Sequence, residues 1–136
     1  MTDSPAVPTA PSWKRRHWRK ISVLLVVLVP LLLFAGWSAL TLGYVFSRGE
    51  RAGFAQKLSK RGWLCKTWEG ELAMVNLPGA MPEIFKFTVR SDSIANILEK
   101  NLGKRVSLSY DQHRGVPTSC FGETEYFITN VRLLER

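Results

Sequence analysis

The longest apolar run of the chain lies between Ile21 and Phe46, where 26 consecutive positions carry no charged side chain. An α-helix of that length measures roughly 39 Å, which exceeds the roughly 30 Å of a bilayer core. Pro30 lies inside the run, and a bilayer tolerates it because neighbouring groups can satisfy the freed carbonyl. We therefore predict one transmembrane helix over residues 21–46.

Beyond residue 46 the apolar and polar positions alternate over shorter distances. This period of two is typical of strands. The predicted strands are 52–59, 63–75, 84–89, 104–110 and 124–135. In the last of them, Phe127, Thr129, Val131 and Leu133 are expected on one face. Gly70 inside the second strand is expected to mark a bulge or a sharp bend.

The segment 91–103 changes period, because Ile94, Ile97, Leu98 and Leu102 recur at helical spacing. Ser91 or Ser93 can cap the start of this helix, and Gly103 can end it. The predicted order is three strands, one helix and two strands. This is the order of the OB-fold, a small five-stranded barrel. We predict an OB-like barrel with one helix between strands 3 and 4, and an SH3-like barrel is the alternative.

Charge on either side of the apolar run predicts the orientation of the chain. Five basic residues precede the run, namely Lys14, Arg15, Arg16, Arg19 and Lys20. A dense basic flank stays in the cytoplasm. We therefore expect a disordered basic cytoplasmic tail over 1–20, a transmembrane helix over 21–46 and an extracytoplasmic barrel over 47–136, in a bacterial inner (cell) membrane. A signal peptide cleaved near "GWS" at 36–38 is the alternative.

The net charge of +8 divides evenly between the tail and the remainder of the chain. Residues 47–136 carry 14 basic and 10 acidic side chains, a mild excess on a mixed surface. Nucleic-acid-binding proteins usually concentrate basic groups more strongly. We therefore expect no nucleic acid among the partners.

The two cysteines, Cys65 and Cys120, both belong to the segment expected outside the cytoplasm. An oxidising compartment permits a disulfide between them, and two buried free thiols are the alternative. A metal site is not expected, because His113 is the single histidine of this segment.

A further pattern covers most of residues 48–134. Its first part is "GERAGFAQKLSKRGWLCKTWEGEL" and its second is "GETEYFITNV". This pattern resembles a group of small, uncharacterised bacterial membrane-anchored proteins, some of which carry the label 6-phosphogluconate dehydrogenase. The sequence does not support that label. A dinucleotide-binding unit needs a GxGxxG turn between a strand and a helix, and the chain contains none. We expect no cofactor.

The candidate ligand-binding residues lie on the second and third predicted strands. They are Trp63, Lys66, Trp68 and Lys86. OB-fold proteins use this region for ligands, and an exposed tryptophan can stack on a base or a sugar. Trp63 and Trp68 lie five positions apart, so one ring is expected in the core and the other in solvent. Glu69 and Glu71 share a face, and we expect them to pair with lysines on neighbouring strands.

These features predict a single-pass membrane protein that presents a small binding or interaction barrel and that is not an enzyme. The alternatives are an accessory subunit of a membrane complex and, less favoured, a small hydrolase built on Glu69 and Glu71. Membrane lipid would surround 21–46. The small side chains of Ala35, Ala39 and Gly43 form a stripe through which the helix could pack against a protein partner or a second copy.

Overall fold

The structure is a computed structural model that describes residues 13–74 and 78–134, without the side chains of residues 14–16. The chain divides into two compact units, residues 1–36 and 37–136. The first unit and the start of the second share helix α1, Trp13–Gly43. Among the described residues, the second unit contains five strands and a second helix.

Helix α1 begins eight residues before the predicted boundary of 21 and ends three residues before 46. Residues 13–20 contain no proline or glycine, and their lysine and arginine residues favour helix, so the helix continues into the segment predicted to be disordered. Residues 1–12 of that tail lie outside the described residues. Ala35, Ala39 and Gly43 are exposed along α1.

The stretch His17–Gly43 of α1 is long and apolar enough to cross a membrane, with a mean hydropathy of 2.6. Only 6% of its most apolar window is buried within the structure. A core helix of a soluble protein would be mostly buried, so α1 does not belong to the barrel core. A membrane anchor and a signal sequence both have these properties.

Five strands form a closed barrel in the spatial order β1-β2-β3-β5-β4. Their bounds are β1 Ser47–Arg61, β2 Thr67–Met74, β3 Glu83–Val89, β4 Arg105–Gln112 and β5 Tyr126–Leu133. Helix α2, Asp92–Lys100, lies between β3 and β4 in the chain. The pair β3–β5 is parallel and the other pairs are antiparallel. The predicted OB-like architecture is confirmed.

Strand β1 is longer than predicted because it serves two partners. Its first half, from Ser47, pairs with β4, and its second half, to Arg61, pairs with β2. A bulge in β1 between Ala55 and Lys57 interrupts the register with β2. The expected bulge at Gly70 is therefore found on the neighbouring strand. Gly70 instead lies against the ring of Phe87, which leaves no space for a Cβ atom.

The barrel core consists mainly of inward side chains from the five strands and α2. Its buried members are Ala55, Leu72, Phe85, Phe87, Val89, Ala95, Leu98, Val106, Leu108 and Ile128. On α2 the buried residues are Ala95 and Leu98, while Ile97 is exposed. Leu102, which was predicted on the same face, lies beyond the end of α2 and is also exposed. On β5 a register shift opposite Ser109 and Tyr110 places Ile128 in the core and leaves Thr129 and Leu133 exposed.

Candidate functional site

A cleft of about 270 Å³ lies where the end of β1, the start of β2, the end of β3 and the start of α2 meet the β1–β2 and β4–β5 loops. We call it the Trp68 cleft. Its lining residues are Lys60, Lys66, Thr67, Trp68, Val89, Arg90, Asp92, Cys120 and Phe121. The β1–β2 loop (62–66) contributes Lys66, and the β4–β5 loop (113–125) contributes Cys120 and Phe121. These are the two loops that flank the ligand site in OB-folds.

Trp68 is held in a fixed position in this cleft. Its indole Nε1 donates a hydrogen bond of 2.7 Å to Oδ1 of Asp92, the first residue of α2. The Lys60 ammonium lies 5.2 Å from the centre of the Trp68 ring and 3.8 Å from the same Asp92 oxygen. Part of the ring packs against the barrel core, and part remains accessible. The indole therefore presents a positioned apolar surface to the cleft.

The cleft carries more positive than negative charge. Lys60, Lys66 and Arg90 line it, and Asp92 is the one acid among its described lining residues. The Arg90 guanidinium lies 4.2 Å from the centre of the Phe127 ring, and its Nε donates to the Phe121 carbonyl at 3.4 Å. Burial lowers the pKa of Arg90, because desolvation disfavours its charge. An anion in the cleft would stabilise this partly desolvated cation.

The two loops at the cleft are joined covalently. In the structure a disulfide connects Cys65 with Cys120, whose Cα atoms lie 4.9 Å apart and which are separated by 55 positions in sequence. Cys65 precedes Lys66, and Cys120 precedes Phe121. The cross-link therefore fixes the backbone beside a cation and an aromatic ring of the cleft.

The four predicted ligand-binding residues do not form one site. Lys66 and Trp68 both line the Trp68 cleft. Trp63 lies in the β1–β2 loop, because β2 begins only at Thr67, and its side chain is 97% exposed. Lys86 points outward from β3 at a different depression. The prediction that one tryptophan packs on the core and the other reaches solvent agrees with the positions of Trp68 and Trp63.

That second depression, of about 80 Å³, lies on the outer face of β1, β2 and β3. Its charged lining residues are Lys57, Arg61, Glu69, Glu71, Lys86 and Glu123. Basic and acidic side chains are equal in number here, and no aromatic side chain is among the described lining residues. The depression therefore has neither the net charge nor the ring surface of the Trp68 cleft.

Glu69 was expected to pair with a lysine, and its contacts in the structure are different. Its Oε1 accepts hydrogen bonds from Thr67 Oγ1 at 2.8 Å and from the Glu123 amide at 3.1 Å. Its Oε2 accepts one from Thr88 Oγ1 at 2.7 Å. Buried carboxylates are stable when donors satisfy them in this way. Glu69 therefore secures the end of the β4–β5 loop to the sheet, which is a structural role.

Sequence reasoning missed Lys60, Arg90, Asp92 and Phe121. Arg90 directly follows β3 and Asp92 starts α2, so their proximity to Trp68 depends on the turn between two elements. Phe121 comes from a loop more than 50 residues away from Trp68 in sequence. A signal for Phe121 existed in its neighbour Cys120, since a bridge to Cys65 would bring both segments together.

No protein-family profile and no curated protein matches this chain. Among solved structures, it is similar to crystal forms of Rim1, the mitochondrial single-stranded DNA-binding protein of S. cerevisiae. For form 1 the TM-score is 0.53 at 16% identity over 66% of this chain and 97% of Rim1. For form 2 the TM-score is 0.51 at 14% identity over 68% and 98%.

This likeness shows the fold, and it corrects one expectation. Nucleic acid was excluded as a partner because the barrel segment has only a mild basic excess. That exclusion is wrong, since the Rim1 structures that share this barrel are those of a single-stranded DNA-binding protein. Net charge averaged over a segment misses basic groups that the fold gathers around one cleft. The comparisons thus place the chain among small OB-like barrels.

Proposed function

We propose that this protein is a membrane-anchored binding protein whose barrel takes an anionic ligand with a planar ring in the Trp68 cleft. The observation that carries the proposal is the gathering of Lys60, Lys66 and Arg90 around Trp68 and Phe121, with Asp92 as the acid among the described lining residues. The cations of such a site bind an anionic backbone, while the accessible rings beside them stack on flat groups of the ligand.

Single-stranded nucleic acid is the ligand class that this chemistry fits best. Each nucleotide supplies one phosphate for a cation and one base for a ring, and stacking of a base on an aromatic side chain contributes about 1–3 kcal/mol. Trp68 is held by Asp92 before any ligand arrives. Little side-chain freedom would then be lost on binding, which favours affinity. The OB-like fold supports the same ligand class.

Binding is favoured over catalysis by the state of the carboxylates. Both Glu69 oxygens are occupied by donors from Thr67, Thr88 and Glu123. A general acid or base must reach a substrate proton, which a carboxylate secured in this way does poorly. A hydrolase built on Glu69 and Glu71 is therefore the weaker hypothesis.

Helix α1 would serve as the anchor, with the N-terminus in the cytoplasm and the barrel outside it. The apolar stretch His17–Gly43 supports the anchor, and the basic residues before Ile21 support the orientation. A disulfide between Cys65 and Cys120 fits an oxidising compartment.

The test is binding of a fluorescent oligothymidylate to the full chain held in detergent micelles. We expect binding that weakens with salt, with a slope of log affinity against log salt of roughly −0.7 for each phosphate contacted. Lys66→Gln and Arg90→Gln should each weaken binding and reduce the slope by about 0.7. Lys57→Gln, on the outer face, is the matched control and should leave both quantities unchanged. Equal weakening by Lys57→Gln, or no salt-dependent binding at all, would overturn the proposal.

A further inference from the structure

The β1–β2 loop exposes two large apolar side chains that are adjacent in sequence. Trp63 is 97% exposed and Leu64 is 83% exposed. We call residues 62–66 the loop tip. An isolated exposed leucine is ordinary, but an adjacent tryptophan and leucine that both project from the barrel form an apolar patch. The Trp68 cleft does not use either side chain, since neither lines it.

The backbone of the loop tip is constrained at both ends. Arg61 and Thr67 face each other as the last pair of the β1–β2 ladder. Gly62 has a φ of +130°, and a Cβ at this position would overlap the Cys65 carbonyl oxygen. Cys65 is in turn bonded to Cys120. The tip is therefore preorganised, and little conformational entropy is lost when Trp63 and Leu64 are buried by something else.

Basic side chains surround the two apolar ones. Lys60, Arg61 and Lys66 are all exposed and lie within three positions of Trp63. Arg61 is 4.0 Å from Glu123 and Lys60 is 3.8 Å from Asp92, so both keep only peripheral ion pairs. A tryptophan and a leucine surrounded by cations match a surface that is apolar below and negatively charged above. Anionic phospholipid has this structure, and tryptophan favours the headgroup level.

We propose that the loop tip inserts Trp63 and Leu64 into an anionic lipid surface, with Lys60, Arg61 and Lys66 on the phosphate groups. A projecting tip of two residues is too small for a stable protein interface, which buries about 1,200 Å² or more. A bilayer needs only a few apolar side chains and adjacent cations. The inference rests on the proposed function in its use of α1 as the anchor. Lys60 and Lys66 also line the Trp68 cleft, so Arg61, Trp63 and Leu64 are the residues that separate the two proposals.

The first experiment uses the full chain incorporated into lipid nanodiscs. Brominated lipids quench nearby tryptophans, and the difference between the wild-type chain and Trp63→Phe isolates the emission of Trp63 from that of the other four tryptophans. We expect quenching of this difference signal in discs that contain brominated phosphatidylglycerol. A second arm adds phosphatidylglycerol vesicles to chains held in neutral discs and measures co-flotation. This arm covers contact with a lipid surface other than the one that holds α1, because the 15 residues of β1 lie between α1 and the tip. Contact in either arm supports the proposal.

Variants decide whether the contact belongs to the tip. The double variant Trp63→Ser with Leu64→Ser should abolish co-flotation with the vesicles or lower it at least about tenfold, because the apolar insertion is lost. Arg61→Gln and Lys66→Gln should each lower it about fivefold, which corresponds to the loss of about one kcal/mol per cation at an anionic surface. Ile97→Ser and Lys100→Gln on α2 are the matched controls, and we expect no change from either.

Several results would overturn the proposal. They are equal signals with neutral and anionic lipid, no Trp63-dependent quenching together with no co-flotation, and protection of Trp63 only when a partner protein is supplied. Failure of the chain to enter nanodiscs would count against the anchor instead, and the co-flotation arm would then be run on the chain without discs or detergent. The anchor and the loop tip are thus tested separately.

Discussion

The indole Nε1 of Trp68 donates a hydrogen bond of 2.7 Å to the carboxylate of Asp92. This contact joins the start of β2 to the first residue of α2. It fixes the ring that forms the wall of the cleft, and it secures the start of α2 to β2. Trp68 is therefore both a structural residue and a candidate ligand contact.

The two tryptophans of this region should respond differently to truncation. Trp68→Ala should lower the free energy of unfolding by about 2–3 kcal/mol, somewhat less than for a fully buried ring, since Trp68 is only half-buried. Trp63→Ala should change it by less than about 0.5 kcal/mol, because an exposed side chain has little packing to lose. Denaturant unfolding of both variants measures this. Equal losses would contradict the placement of Trp63 at a loop tip.

Reduction of the Cys65–Cys120 bond should destabilise the barrel. The bond closes a loop with a sequence separation of 55, and such bonds contribute about 2–4 kcal/mol by restricting the unfolded chain. We expect a lower Tm after reduction and the same lower Tm for Cys65→Ser with Cys120→Ser. Mass spectrometry after alkylation checks the bond itself. Modification of both thiols in the folded, unreduced protein would show that the bond is absent.

Gly70→Ala should destabilise the barrel by about 1–3 kcal/mol. The added methyl group would overlap the Phe87 ring, which is fully buried and cannot move without disturbing the core. Gly43→Ala in α1 is the control, because a Cβ there meets no atom within 4 Å. Thermal unfolding compares the two variants. An unchanged Tm for Gly70→Ala would mean that the ring of Phe87 has space to shift.

Acid should weaken the junction between β1 and β4. The hydrogen bond from Arg48 holds the pKa of Asp111 below its ordinary value of 3.8, with Nε and Nη2 of Arg48 at 2.6 and 3.1 Å from the carboxylate oxygens. A lowered folded-state pKa stabilises the fold above the unfolded pKa, and this stability is lost as pH falls through the folded value. We expect a drop in stability below about pH 4. Asp111→Asn should be less stable at neutral pH and show a smaller acid dependence.

Topology can be measured with reporters fused after Arg136. If α1 is an anchor with its N-terminus in the cytoplasm, a fused alkaline phosphatase should be active and a reporter that functions only in the cytoplasm should be silent. Replacement of Lys14, Arg15, Arg16, Arg19 and Lys20 by glutamine should reduce export of the barrel, because it removes the charge bias. The mass of the mature chain reports on cleavage near residues 36–38. The reverse reporter pattern would contradict the proposed orientation.

The sequence by itself determined the kind and order of the elements. An uncharged run from Ile21 to Phe46 predicted one long apolar helix, because hydropathy is a local property. Alternation and helical spacing predicted five strands with one helix before the fourth, and the OB-like barrel followed from that order. The predicted bounds of the strands were less accurate where pairing with another strand decides where a strand begins or ends. Strand β1 extends to Ser47 because β4 offers it partners, which no local pattern reveals.

Only the tertiary structure decided which residues meet. Trp63 and Trp68 are equally suited to a ligand by composition, yet the loop at 62–66 separates them into a projecting tip and a cleft wall. Arg90 joins Trp68 because β2 pairs with β3 and Val89 lies opposite Trp68, and Phe121 joins it through the bond between Cys65 and Cys120. These contacts are long-range, so their energies depend on the closed barrel and not on the neighbours of each residue in the chain. For the same reason, the net charge averaged over the segment does not reveal the three cations that folding gathers at the Trp68 cleft.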